Sequence, residues 1–529
     1  MAERKWRTTA YALVVRTILG PGCCLALGER LISQAKHLPA DQVDISDSQG
    51  RTGHALGVFG RNALWLWVDK GALRIGTMLA GLFLLRYLGP ADFGLYSVAL
   101  AAGVFANAVL DLGLTRYASR AVAADAREGR PILALSLLVT LLSAAAEALL
   151  VVIFARQQQW YAACLCTGLI VSNVEGTNLL CSFMLTADLR SRAVLPGSLL
   201  NASGLIALTF LVIHWRLSVF HLLLGLTLRA FVVLAARIAP LRVFFPTGKE
   251  WCVQEFWRIL AAASPYFSYS LAEFGYSRIP LLCLTLVASR AEVGCFAAAT
   301  TLIAIFPQLA FAATDALLPV MTRLHEYGHR AETQLLRQQL LDVFWLLTVP
   351  LSVFLSISAP EICALLGPHF GPAVPVLRIG GFDGLLLVLE GLGGAFLVAG
   401  GSISQRRNML AYASVALITL NLLLGSFWGA RGAAAASVLA HALLLWGYLY
   451  ALLKAGEKLQ AGRALWASAI ASLAMLVVAL VPVSPWPIFC AAPLALAVYL
   501  GVLLLIAPRE FRQACGTLRV CFAPAPTLS

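Results

Sequence analysis

The sequence predicts an all-α polytopic membrane protein of about fourteen transmembrane helices, with two six-helix lobes and two additional C-terminal helices. Three observations carry this prediction: an apolar composition, a distribution of basic residues that alternates between successive loops, and an internal repeat. Hydrophobic residues make up 60% of the 529 positions and charged residues only 12%, about half the charged share of soluble domains. The composition therefore argues against a soluble fold.

Charge and cysteine usage exclude several classes of function. The formal net charge is +13, but the basic residues fall singly between apolar runs and form no solvated patch, so no nucleic-acid partner is expected. The twelve cysteines lie mostly inside apolar runs, without the paired spacing of a metal site. The sequence also has no HExxH helix and no Walker-type phosphate loop. We therefore expect neither a metal nor a cofactor.

Fourteen segments of the sequence are suited to crossing a bilayer, which takes about 20 predominantly apolar residues in a helix. These segments are 62–85, 91–115, 131–155, 160–187, 193–215, 217–236, 259–289, 291–322, 338–366, 371–400, 408–428, 432–453, 464–482 and 485–507. Residues 1–61 are predicted to form a cytoplasmic extension, in which the apolar stretch from Tyr11 to Leu27 suits the membrane interface. Residues 509–529 are predicted to form a cytoplasmic tail.

The basic residues test this segment count, because the cytoplasmic loops of membrane proteins carry the excess of Lys and Arg. With the amino terminus inside, the cytoplasmic connections hold 29 basic residues and the opposite connections hold 5. An internal segment wrongly added or omitted would exchange the sides of all later loops and remove this bias. We therefore expect both termini in the cytoplasm. The remaining five basic residues lie within the segments themselves: Lys70, Arg74, Arg229, Arg278 and Arg378.

An internal repeat predicts the two lobes. Residues 91–96 read Ala-Asp-Phe-Gly-Leu-Tyr at the junction of the first two segments, and residues 291–296 read Ala-Glu-Val-Gly-Cys-Phe at the junction of the seventh and eighth. The two hexapeptides match in residue character at an offset of 200 positions. We therefore predict lobes at 62–245 and 252–455, an additional helix pair at 464–508, and a cleft between the lobes that can open to either face.

At these residues the chain resembles the polysaccharide and O-unit flippases of the multidrug, oligosaccharidyl-lipid and polysaccharide (MOP) exporter superfamily. The resemblance rests on residues 86–96 and 110–114, and is supported by residues 364–373 and 429–434. It implies a flippase of the bacterial inner membrane that moves an undecaprenyl-pyrophosphate-linked oligosaccharide by alternating access, for O-antigen, capsule or exopolysaccharide biosynthesis. The implied partners are this lipid-linked substrate, membrane lipids, and a polysaccharide polymerase with other assembly proteins.

Two alternatives stay open at this stage. A cation-coupled small-molecule or drug exporter of the same superfamily would share the fold, but is expected to have an acidic or aromatic cavity. A membrane glycosyltransferase, polymerase or ligase is disfavoured, because the longest internal connection is only about twenty residues and no loop could fold alone. We therefore expect a transporter and not an enzyme.

Charged residues within the segments predict the substrate site, because a charge at mid-bilayer is costly unless it faces water or a partner. Lys70 and Arg74 share one helical face, and the 200-residue offset places Arg278 on the continuation of that face in the second lobe. We predict that Arg74, Arg278 and Lys70 line a cationic cleft for a pyrophosphate, whose oxygens Arg can bind bidentately. Lys70 has the alternatives of reaching the cytoplasmic boundary or pairing with Asp69.

Acidic residues in or near the segments are the predicted charge partners or ion-coupling groups, namely Asp69, Glu273, Asp111 and Asp315. The flippases that the chain resembles often have an acid directly before a basic residue in the seventh segment, where this chain has Ser277 before Arg278. Glu273 lies about one helical turn earlier. The glycan, the coupling ion, the oligomeric state and the roles of residues 1–61 and of Arg229 do not follow from the sequence.

Overall fold

The computed structural model describes residues 45–187, 191–241, 253–308, 330–456, 462–480 and 488–512, with a few single positions outside these ranges. Side chains before Gly76 lie outside the described part of the chain. Within these ranges every regular element is a helix, which confirms the predicted all-α class.

The helices fall into two halves and a terminal pair. The first half contains α1 Ile45–Leu110, α2 Leu114–Ala124, α3 Gly129–Arg156, α4 Trp160–Ala187, α5 Ser191–His214 and α6 Val219–Leu241. The second half contains α7 Val253–Val287, α8 Arg290–Ile303, α9 Arg330–Ile357, α10 Ala359–Leu366, α11 Val374–Ala399 and α12 Ile403–Lys454. The terminal pair is α13 Arg463–Leu480 and α14 Ile488–Ile506.

Glycine breaks divide the two longest helices. Gly89 interrupts α1 with φ 69°, and Pro90 follows it, where the fixed φ of proline suits the first position of a new helical stretch. Gly429 interrupts α12 with φ 56°. With these breaks, a helix occupies the position of each of the fourteen predicted segments. Nine helices in the described part are long and apolar enough to cross a membrane, so the number of crossings stays a prediction.

The helix turns fall at two ends of the molecule. The Gly89 end contains the breaks at Gly89 and Gly429 and the start of α8, where Ser289 and Glu292 form a capping box. The Asp125 end contains the turn after α2 at Asp125. Under the predicted topology the Gly89 end is periplasmic and the Asp125 end is cytoplasmic.

The apolar core is divided as the helices are. Two buried clusters centre on the first half, with Leu133 and Leu222 as examples, and one large cluster centres on the second half, with Phe306 and Leu377 as examples. A fourth cluster, which includes Met475, joins α13 and α14 to α9. The two halves therefore pack largely around cores of their own.

The terminal helix pair is fixed to α9 at a proline. Pro350 lacks an N–H group, so the Leu346 carbonyl loses its donor within the helix. The Tyr499 hydroxyl of α14 donates to that carbonyl at 2.7 Å, and the Ser468 hydroxyl of α13 donates to the Trp345 carbonyl at 2.9 Å. In apolar surroundings an unpaired carbonyl is costly, and the Tyr499 hydroxyl removes this cost at Leu346.

Two arginines that the sequence assigned to loops are buried between helices. Arg237 is 5% exposed in α6 and donates to the Asn178 carbonyl at 2.8 Å. Arg337 is 2% exposed in α9, and its guanidinium lies over the Phe396 ring, 5.5 Å from the centroid. The assignment of both residues to loops is wrong. Each lies one position outside a predicted segment, because a basic residue lowers the local hydropathy on which the boundary depends.

Candidate functional site

The two halves meet at the Gly89 end through the repeated hexapeptides. A Cβ atom at Gly94 would lie 2.6 Å from the Arg290 carbonyl oxygen, and a Cβ atom at Gly294 would lie 1.7 Å from the Pro90 carbonyl oxygen. The 200-residue offset relates these two contacts, since Pro90 corresponds to Arg290. Only glycine permits so close a backbone approach. The Gly89 end is therefore closed by backbone packing in this structure.

A second junction forms where α2 packs on α7. Gly113 has φ 79°, and a Cβ atom there would lie 2.4 Å from the Phe267 amide nitrogen. Arg258 Nη2 donates to Glu128 Oε2 at 3.0 Å between the two halves. Exposed ion pairs of this kind contribute at most about 1 kcal/mol each. The second junction therefore adds a weak ion pair to a close backbone contact.

Glu273 of α7 is shared between two arginines that belong to opposite halves. Its carboxylate pairs with Arg116 of α2, and its Oε1 lies 3.6 Å from Arg406 Nη2 of α12. The Tyr269 hydroxyl donates to Glu273 Oε1 at 3.3 Å. The Tyr269 ring contacts both guanidinium groups, with its centroid 4.7 Å from Arg116 Cζ and 5.5 Å from Arg406 Cζ. We call Arg116, Tyr269, Glu273 and Arg406 the Glu273 cluster.

The Glu273 cluster is partly exposed. Glu273 faces two cations, and Glu390 of α11 also interacts with Arg406. The side chains of Arg116, Glu273 and Arg406 are 39%, 25% and 18% exposed, respectively. Gly394 of α11 makes room for Arg406, because a Cβ atom there would lie 2.8 Å from Arg406 Nε. Gly394 lies inside the continuous helix α11, where the absence of a side chain lets Arg406 pack against the helix.

The predicted site residue Arg278 is exposed on α7. Ser264 and Ser268 are exposed on the same face, since at 100° per residue the three positions span an arc of about 80°. A surface that faces lipid is apolar, as on α12, where Val415 and Phe427 are exposed. The arc of α7 that holds Arg278 also contains Trp257 and Leu286, which are 65% and 77% exposed, so Arg278 is the charged group of this face that needs water or an anionic partner.

Among the other predicted site residues, the structure describes the side chains of Glu273 and Asp111. Glu273 is five positions away on the same helix, which separates the two side chains by about 140° around the axis. Lys70, Arg74 and Asp69 lie within α1, but their side chains lie outside the described part. Asp315 lies outside the described residues altogether. The cleft formed by the three cations stays a prediction.

Asp111 stabilises the turn that leads to Arg116. Its Oδ1 accepts hydrogen bonds from the Thr115 hydroxyl at 2.5 Å and from the Thr115 amide at 3.2 Å. Leu112 and Gly113 both have positive φ values, 52° and 79°, so the chain turns sharply here. Among the side chains that the structure describes, Asp111 forms no ion pair. It positions α2, and α2 in turn places Arg116 against α7.

Two further polar pairs lie within single halves. Arg229 of α6 donates to Glu175 of α4 at 2.8 Å, which identifies the partner of an arginine whose role the sequence left open. His441 Nδ1 of α12 lies 2.5 Å from Asp383 Oδ1 of α11, and both residues are buried. These pairs join helices of one half, whereas the Glu273 cluster joins the two halves.

Arg116 and Arg406 were missed as site residues because the sequence places both just outside a predicted segment. The local signal that could have found Arg116 is the Asp111-Leu112-Gly113 turn, which permits a new helix to begin before the basic residue. Arg406 lies in the first turn of α12, and only the tertiary structure brings it to Glu273.

Comparison with known families identifies the chain. The sequence profile of a family described as "Polysaccharide biosynthesis protein" matches residues 59–325, just over half of the 529 residues. The chain belongs to this polysaccharide biosynthesis protein family. The matched region includes Arg116, Glu273 and Arg278. No curated protein matches the sequence.

Solved structures place this family member in the MOP fold. The lipid II flippase MurJ in an inward closed conformation superposes with a TM-score of 0.67 at 13% identity, over 85% of this chain and 100% of that chain. An inward-facing multidrug resistance MATE family transporter of the MOP superfamily superposes with a TM-score of 0.58 at 14% identity, over 72% of this chain and 94% of that chain. These neighbours are transport proteins, which agrees with the expectation of a multi-pass membrane transporter and not an enzyme.

Proposed function

We propose that the chain is a flippase that moves an undecaprenyl-pyrophosphate-linked oligosaccharide from the cytoplasmic to the outer leaflet of the bacterial inner membrane. The observation that carries this proposal is the exposed Arg278 of α7, a helix that packs against helices of both halves. A cation in such a position needs an anionic partner or water. The pyrophosphate of a lipid-linked oligosaccharide is a suitable anion. Arg74 and Lys70 of α1 are the proposed further contacts.

The junctions between the halves are suited to alternating access. In this structure the Gly89 end is closed by glycine backbone packing, whereas α2 and α7 also meet through partly exposed ion pairs. Weak ion pairs can break and form again at low cost. Rocking of one half against the other would then expose the substrate site alternately to each side of the membrane. In this proposal the glycans of O-antigen, capsule or exopolysaccharide are the cargo.

Loss of the protein tests the proposed function. In cells that lack it, lipid-linked oligosaccharide should be synthesised normally and accumulate on the cytoplasmic leaflet, where a membrane-impermeant periplasmic label cannot reach it. Restoring the intact chain should restore labelling. Normal labelling in the absence of the chain would show that the substrate is different. Export of an organic cation by the purified chain, without movement of the lipid-linked oligosaccharide, would support the exporter alternative.

A further inference from the structure

We propose that Arg116 and Arg406 form a diphosphate-binding subsite and that Glu273 is an exchangeable counterion, which occupies this subsite when substrate is absent and leaves it when substrate binds. The inference rests on the proposed function and adds the two arginines and the carboxylate to it. It follows from the geometry, the accessibility and the charge of the Glu273 cluster.

The geometry is that of an anion site filled by the protein itself. One carboxylate bridges Arg116 from the first half and Arg406 from the second, and its Oε1 also accepts the Tyr269 hydroxyl. Each arginine has a planar fork of donors, of which Glu273 uses a single Nη2 atom in either case. A diphosphate has more acceptor oxygens than a carboxylate, so it can satisfy both forks more fully.

The arrangement differs from the buried arginine contacts elsewhere in the chain. Arg237 is 5% exposed and is held by a carbonyl and a hydroxyl inside the first half, where a ligand has no access. The three charged side chains of the Glu273 cluster are partly exposed and come from elements of both halves. A partly exposed carboxylate can leave its partners for water at moderate cost, which a fully buried one cannot.

The charge count gives Glu273 a role in the transport cycle. When Glu273 leaves, the two guanidinium groups are free to attract a diphosphate, which carries at least two negative charges at neutral pH. When the substrate leaves, the return of Glu273 pairs both arginines again. The empty transporter then reorients without two unpaired cations inside the membrane, a state that would cost several kcal/mol. The carboxylate thus competes with substrate and also assists its release.

Arg278 extends the same pathway. It lies five residues beyond Glu273, which is about 7.5 Å further along α7 toward the Gly89 end. Under the predicted topology a substrate from the cytoplasm meets the Glu273 cluster first and Arg278 second. The two positions lie on different faces of α7, so they are separate subsites.

Binding of a short isoprenoid diphosphate tests the inference. The full chain in lipid nanodiscs is titrated with farnesyl diphosphate, as wild type and as Arg116→Ala, Arg406→Ala and Glu273→Gln variants. Affinity should fall about tenfold or more in each arginine variant, because a hydrogen bond to a charged group is lost. Affinity should rise several-fold in Glu273→Gln, because the competing charge is removed while the shape is kept.

The matched control is Glu175→Gln, which removes the carboxylate of the Arg229 pair inside the first half. Its affinity for farnesyl diphosphate should equal that of the wild type. The double variant Arg116→Ala with Glu273→Gln removes both members of one pair and leaves no unpaired carboxylate. It should melt no lower than Glu273→Gln alone, because it leaves one fewer unpaired arginine, and it should bind more weakly than Glu273→Gln. A correctly folded Glu273→Gln protein that binds no more tightly than the wild type overturns the inference.

Two further measurements distinguish a lipid-linked diphosphate from free pyrophosphate, and the proposed subsite from the proposed function. Inorganic pyrophosphate should bind much more weakly than farnesyl diphosphate, and equal binding would contradict the lipid-linked assignment.

Transport in cells should fall in Glu273→Gln although binding rises, because release is slower, and an increase in both would contradict a role in release. Normal movement of lipid-linked oligosaccharide with unaltered binding in Glu273→Gln would remove the inference and keep the proposed function. The expected binding pattern together with a wild-type chain that moves no lipid-linked oligosaccharide would keep the subsite and remove the proposed function.

Discussion

Gly94 and Gly294 lie against each other where the two halves meet, and a Cβ atom on Gly94 would lie only 3.0 Å from the Gly294 amide nitrogen. The two glycines are 200 positions apart and occupy the same place in the two repeated hexapeptides. Each one faces the backbone carbonyl of the residue directly before the other hexapeptide, from Arg290 and Pro90 respectively. The repeat is therefore also a contact, in which equivalent elements of the two halves close one end of the cleft.

Replacing Gly294 should disturb this closure. In Gly294→Ala the new Cβ atom would lie 1.7 Å from the Pro90 carbonyl oxygen, so the halves must move apart. Overpacking of this kind typically costs about 1–3 kcal/mol. We expect a lower thermal unfolding midpoint in detergent and greater accessibility of a cysteine label placed at the Gly89 end. The control is Gly501→Ala, where nothing lies within 4 Å. Equal midpoints for both variants would show that the contact does not hold the halves together.

Loss of the buried pair between α11 and α12 should destabilise the second half. Asp383→Asn removes the charge that faces His441 Nδ1 at 2.5 Å in a buried position. Breaking a buried pair by removing one partner costs about 3–5 kcal/mol. Asp125→Asn, at an exposed turn, is the control. Thermal unfolding of both variants measures the difference, and an unchanged Asp383→Asn midpoint would mean that the pair is energetically neutral.

The terminal helix pair should loosen when its bond to α9 is removed. Tyr499→Phe keeps the ring but loses the hydroxyl that donates to the Leu346 carbonyl at 2.7 Å. We expect a cost of about 1 kcal/mol and faster amide hydrogen exchange in α13 and α14. Tyr412→Phe, on an exposed face of α12, should leave the exchange unchanged. Adding Pro350→Ala to Tyr499→Phe should partly restore stability, since residue 350 can then donate to Leu346. Identical exchange in Tyr499→Phe and the wild type would contradict this account.

The topology is predicted from the basic residues, which favour cytoplasmic termini by 29 to 5. Reporter fusions should separate into two groups. Fusions after Leu217, Arg290 and Arg431 should report the periplasm. Fusions after Arg127, Lys249 and Lys458 should report the cytoplasm. A consistent reversal would place the Glu273 cluster nearer the periplasmic side and overturn the predicted order of the two subsites.

Helix positions could be predicted because crossing a membrane imposes a length and an apolar composition that are local in sequence. The repeat around Gly94 and Gly294 could also be predicted, since both hexapeptides keep the same residue character. Boundaries were less certain where a helix continues past a basic residue, as at Arg237. Burial of such a residue depends on partners from other helices, here the Asn178 carbonyl and the Ser198 hydroxyl.

The site was only partly predictable for the same reason. The sequence singles out Arg278 by its place inside an apolar segment and Glu273 by its position one turn earlier, and their role in a substrate site stays a prediction. Arg116 and Arg406 have the sequence context of ordinary loop cations. Their approach to one carboxylate depends on the packing of α2 and α12 against α7, which no local pattern encodes.

Substitutions at Arg278 and Arg74 test the proposed cationic cleft in export. Lysine keeps the charge but loses the bidentate fork, so Arg278→Lys should impair export less than Arg278→Ala. Arg278→Glu should be the most damaging, because it would repel a pyrophosphate. The same order is expected at Arg74. Export of lipid-linked oligosaccharide is measured at matched protein level in the membrane, because a purely structural role would lower the amount of inserted protein. If both Ala variants were stably inserted and exported normally, the substrate would not depend on these cations, and the small-molecule exporter alternative would gain support.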